Sequence, residues 1–82
     1  MTADREFAQT VIGLIADTFG VRPQNIDLLT TADDVDGWDS LGHSVLMARL
    51  SRKLGIEIGE DTAATAKTVG MLIDALWGIR LA

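Results

Sequence analysis

Apolar residues recur at the helical period in three separate stretches of this chain, and that pattern confines it to a helix bundle. In the first stretch, Phe7, Val11, Leu14, Ile15 and Thr18 share one stripe of a helix running from about Ala3 to Phe19. In the last, Val69, Leu72, Ile73 and Leu76 stand at i, i+3, i+4 and i+7 of a helix that starts near Thr68. Between them, Leu46, Met47, Leu50 and Leu54 form the buried stripe of a helix from Asp39 or Ser40 to Leu54. Ile56-Glu57-Ile58 alternates as a strand would, but no second strand is available to pair with it. It reads instead as a crossing toward a short helix around Glu60–Ala66. The expected fold is all-α, with three main helices and one short one in a single domain over residues 1–82. There is no cysteine, so the core must come from aliphatic helix packing, for which 48% hydrophobic content suffices.

The breaks between the helices are equally legible. Gly20 and Gly55 are C-terminal stops, and Pro23 follows the first of them. Residues 20–39 form a long loop rich in turn formers, and a connection of that length in a small domain is more often functional than idle. Ile26, Leu28 and Leu29 are expected to pin it to the bundle. Asp39 suits the N-cap of the second helix, since its carboxylate can accept free first-turn N–H groups. Gly70 modestly weakens the last helix. Met47 and Met71 read as core filler. Trp38 and Trp77 read as closing the ends of the bundle, with Trp38 also an interface candidate.

Charge narrows the function. Net charge is −5, and residues 27–39 alone hold Asp27, Asp33, Asp34, Asp36 and Asp39 with no Lys or Arg. Such a patch repels phosphate backbones, which argues against nucleic acid, and attracts basic protein surfaces. No apolar stretch approaches the roughly 20 residues of a membrane span, and no signal peptide is apparent. A cytoplasmic monomer follows as the expectation. An EF-hand aligned on Gly37 would put Ala32 at the first ligand and His43 where a bidentate Glu is needed, so both ends fail. No metal site is expected. Ser40, His43 and Asp39 suggest a hydrolytic set only superficially, since no oxyanion hole or nucleophile elbow accompanies them.

One segment carries more. Gly37-Trp38-Asp39-Ser40-Leu41 opens an apolar helix and is followed by Leu46, Met47 and Leu50. Leu54-Gly55-Ile56-Glu57-Ile58 then comes at matching distance, and Thr68-Val69 opens the final helix. On these residues the chain resembles the acyl carrier protein family over nearly its whole length. The resemblance implies that Ser40 carries a covalent 4′-phosphopantetheine arm, installed from coenzyme A by a phosphopantetheinyl transferase. The arm's thiol then holds acyl groups as thioesters, and partner enzymes supply all the chemistry. Those partners would be acyl-loading and acyl-processing enzymes such as an acyltransferase, a ligase or a ketosynthase. Asp39 would position the helix start and assist the transferase. Trp38, Leu41, Gly42, Val45, Ala48 and Arg52 form the expected docking surface. The placement makes physical sense, because an anionic phosphodiester at a helix N-terminus gains about 0.3–1 kcal/mol from the helix dipole.

The chain also departs from the fatty-acid members of that family. These usually place an acid directly after Asp-Ser-Leu, where this chain has Gly42. From Gly42 to Ile56 there are three bases, Arg49, Arg52 and Lys53, and no acid. The face that partners read is therefore neutral to positive. That points to a dedicated carrier of polyketide or other specialised biosynthesis, with Ser44, Val45 and Ala48 giving apolar contacts. A peptidyl or aryl carrier, and an unmodified helical adaptor, are the alternative readings. The ends lack a Pro- or Ala-rich linker, which favours a free-standing protein.

Overall fold

The structure, a computed structural model, describes residues 3–82. Four helices follow in order: α1 Arg5–Phe19, α2 Ser40–Leu54, α3 Glu60–Thr65 and α4 Val69–Leu81. The three long ones begin on side-chain caps. Asp4 accepts from the Phe7 N–H at 2.8 Å, Asp39 from Gly42 at 2.8 Å, and Thr68 from Met71 at 3.1 Å. Each cap satisfies a donor that the first helical turn leaves open. Gly20 and Gly55 end α1 and α2 in the left-handed conformation, with φ of 66° and 65°.

The three apolar stripes meet in one core. Val11 and Ile15 of α1, Leu46 and Leu50 of α2, and Val69, Leu72 and Leu76 of α4 are almost wholly shut from water. Each such side chain contributes about 1.5–3 kcal/mol by burial. At the surface, Arg49 of α2 bridges to Asp17 at 2.7 Å and donates to the Thr18 hydroxyl at 2.7 Å, tying α2 to α1. Leu14, Thr18 and Leu54 are half-buried rather than central, and Ala16 joins the core instead. The residues Ile56–Ile58 form no strand. Trp77 closes one end of the bundle edge-on to Phe7, with ring centroids 5.0 Å apart.

The loop of residues 20–39 departs from expectation. It contains two short 3₁₀ turns, Pro23–Asn25 and Ala32–Asp34. Ile26 is buried, but Leu28 and Leu29 are 55% and 81% exposed. The loop is pinned by its backbone instead. Val69 N–H donates to the Thr30 carbonyl and Gly70 N–H to the Leu28 carbonyl, both at 2.8 Å. These are open first-turn donors of α4, and turning carbonyls toward them leaves the leucine side chains outside. Buried Thr30 and Val35 supply the side-chain anchors. Met71 is likewise exposed, at 49%, because it lies off the Val69–Leu72–Ile73–Leu76 stripe.

Gly70 has a definite role in this junction. A Cβ there would lie 2.9 Å from the Leu28 carbonyl oxygen and 3.2 Å from the Leu28 Cβ. Gly70→Ala should therefore cost about 1–3 kcal/mol through overpacking. Gly78→Ala, on the same helix with open space around it, should be neutral or stabilising by up to about 1 kcal/mol. Urea denaturation of the two variants checks this; a shift in the same direction for both would contradict the junction described.

Candidate functional site

The site is built where the loop enters α2. Gly37, at φ 88°, turns the chain in a conformation that favours glycine. Asp39 then stands in extended conformation, its side chain accepting from Gly42 N–H and its carbonyl from His43 N–H at 2.7 Å. Ser40 is the first residue of the helix and is exposed. Its hydroxyl takes no hydrogen bond among the described residues. It stands on the rim of an open groove whose walls include Ala32, Trp38, His43, Ala63 and Ala66.

Gly42 locks this turn in place. A Cβ on Gly42 would run into the Gly37 carbonyl oxygen and stand 2.9 Å from the Phe19 ring. The first turn of α2 thus rests directly on the loop before it. Trp38 completes the brace by stacking on Phe19, with centroids 5.3 Å apart and planes 18° from parallel. Its indole N–H donates to His43 Nδ1 at 2.9 Å, and His43 Nε2 bonds the Ala63 carbonyl at 2.9 Å.

The six residues expected on a docking face divide accordingly. Leu41 and Val45 are 75% and 45% exposed, and Ala48 and Arg52 are exposed too. At i, i+4, i+7 and i+11 these four line one face of α2. Trp38 and Gly42 are half-buried and engaged in internal packing. Beside the stripe, Phe19 and Gly42 line a shallow hollow that Leu41 and Val45 border. The exposed Asp33, Asp34, Asp36 and Asp39 gather at the Ser40 end. Arg52 and Lys53 stand at the far end, about 18 Å along the helix from Ser40 at its usual rise, and form no ion pair among the described residues. Arg49, counted from sequence with those bases, is occupied by Asp17 and Thr18.

The arrangement is not a catalytic centre. Both His43 nitrogens are engaged, so the ring is not free to take a proton from Ser40. Among the described residues no group of His, Cys, Asp or Glu could hold a metal ion, and no helix is long and apolar enough to cross a membrane. The links Trp38–His43 and His43–Ala63 could not be read from sequence, because spacing along α2 says nothing of a carbonyl 20 residues away.

The Ser40 hydroxyl is thus held out at the exposed start of a helix capped by Asp39. Residues 9–76 match the family described as "Phosphopantetheine attachment site", and the chain belongs to it, among the acyl carrier proteins. It is similar to an acyl carrier protein of Amoebophilus asiaticus (strain 5a2), 34% identical over 71 residues that cover 87% of this chain and 89% of that one. No solved structure matches the chain. As a family member it is not an enzyme, and its cofactor is covalent 4′-phosphopantetheine, whose thiol holds acyl groups as thioesters. The start of α2 fits that group. Its rim is open, the alanines lining the groove leave room, and the positive end of the helix would favour a phosphate held there.

The packing of Gly42 has a measurable consequence. Gly42→Ala should cost about 1–3 kcal/mol, and Gly42→Glu, which restores the acid of fatty-acid carriers, should cost more. Gly13→Ala in α1, where nothing lies within 4 Å, should be neutral or stabilising. Thermal or urea unfolding of the three variants decides; an innocuous Gly42→Glu would contradict the close approach.

Proposed function

We propose that Ser40 is the residue that carries the arm and that this chain serves polyketide or other specialised-metabolite biosynthesis. The observation that carries the first part is the exposed, unbonded Ser40 hydroxyl at the Asp39-capped start of α2. Asp39 fixes where the helix begins and therefore where the hydroxyl points. A phosphopantetheinyl transferase is the first partner: the Ser40 oxygen attacks the coenzyme A pyrophosphate, and the adenosine bisphosphate leaves. Leu41, Val45, Ala48 and Arg52 make the docking stripe, with Trp38 and Gly42 supporting it from beneath. The domain works as a cytoplasmic monomer, and its arm keeps the thioester at high local concentration near the docked enzyme.

The pathway reading rests on charge. Fatty-acid partners offer a basic surface, and the exposed Arg52 and Lys53 oppose it. Acyl-processing enzymes of a dedicated pathway, lacking that basic surface, accept this face.

Two measurements test the reading. Incubation with coenzyme A and a broad-specificity transferase should add one phosphopantetheine to the intact mass, and Ser40→Ala should gain none; a modified Ser40→Ala would refute the assignment. Binding of the carrier to a fatty-acid ketosynthase should be weak, and Arg52→Glu should tighten it about twofold to tenfold, since the substitution removes one repulsive rim charge and adds one attractive one. Tight binding by the unaltered chain would point to fatty-acid synthesis.

A further inference from the structure

Helix α3 is poorly held by its own packing. It has six residues, no buried side chain and no side-chain cap at Gly59. A helix this short does not persist alone in water. Ala63 and the adjoining Ala66, only partly buried, are its apolar contacts with the core. Against this background the hydrogen bond from His43 to the Ala63 carbonyl is a large share of what fixes α3 beside α2.

The chemistry of that bond is determined by its two partners. A carbonyl oxygen only accepts, so His43 Nε2 carries the proton. An indole N–H only donates, so Nδ1 keeps its lone pair toward Trp38. One neutral tautomer satisfies both. Trp38 is anchored on Phe19 at the end of α1. A chain of contacts, Phe19 to Trp38 to His43 to Ala63, thus runs from α1 to α3 past Ser40, which stands three residues before His43. Ser40, Ala63 and Ala64 line the same groove.

We propose that His43 is a positioning residue, whose neutral ring holds α3 against the start of α2 and so fixes the groove wall beside Ser40. The role matters for function on the reading that Ser40 bears the arm, because the arm leaves the protein along that wall.

Residue-level hydrogen exchange on the full chain, with and without the arm, tests this. His43→Leu should speed exchange of the Ala63–Thr65 amides about threefold to tenfold, the loss expected for one hydrogen bond. The α1 amides around Val11–Ile15 should keep their protection. His43→Gln, which offers both a donor and an acceptor, should restore most of α3. In the transferase assay, His43→Leu should raise KM with kcat held. Unchanged α3 exchange in His43→Leu, or an equal rise in α1, would overturn the proposal. Failure of the transferase to modify even the unaltered chain would instead strike the Ser40 reading, leaving the exchange result to judge His43 on its own.

Discussion

The contact of the first turn of α2 with the Gly37 carbonyl sets everything around it. It exists only because residue 42 has no side chain. With the helix pressed onto the loop there, Asp39 reaches the Gly42 N–H and caps the helix. Phe19 and Trp38 stack beneath, and the remaining direction for Ser40 is outward. A handle for covalent attachment needs this rigidity at its base. On the proposed role of Ser40, the arm supplies the reach, and the protein has only to hold one oxygen at a fixed place and offer a readable surface next to it.

That surface is asymmetric along α2. Carboxylates crowd the Ser40 end, apolar Leu41, Val45 and Ala48 occupy the middle, and Arg52 and Lys53 stand at the far end. Arg49 contributes to holding α1 and α2 together rather than to this face. Rim charges of this kind govern association rate and partner choice more than total affinity. The glycine that presses α2 onto the loop also stands where fatty-acid carriers usually have an acid, so packing and surface charge are set at one position.

Much of this was legible in the sequence, for identifiable reasons. Helical periodicity reports which face is buried, and it placed α1, α2 and α4 with their stops at Gly20 and Gly55 and their cap at Asp39. The carrier family was legible through the resemblance of the segment around Ser40, and the family match over residues 9–76 shows it. Periodicity fails where tertiary backbone contacts decide orientation. Leu28 and Leu29 looked like anchors because they are leucines, yet their carbonyls serve the open amides of α4 and their side chains face water. Met71 is apolar but off the stripe. Gly70 looked like a weak point and Gly42 like a missing acid, whereas each marks a close approach of two backbone segments. The double engagement of His43 spans loop, α2 and α3, and no local pattern encodes it.

Fragmentation mass spectrometry of the protein isolated from cells that prime carriers of this kind tests the central claim most directly, because it assigns the arm to an atom's owner. The geometry predicts phosphopantetheine on Ser40 alone, with Ser44 and Ser51 bare in every molecule. An arm on Ser44 or Ser51, or a chain that remains wholly unmodified while other carriers in the same cells are primed, would contradict it.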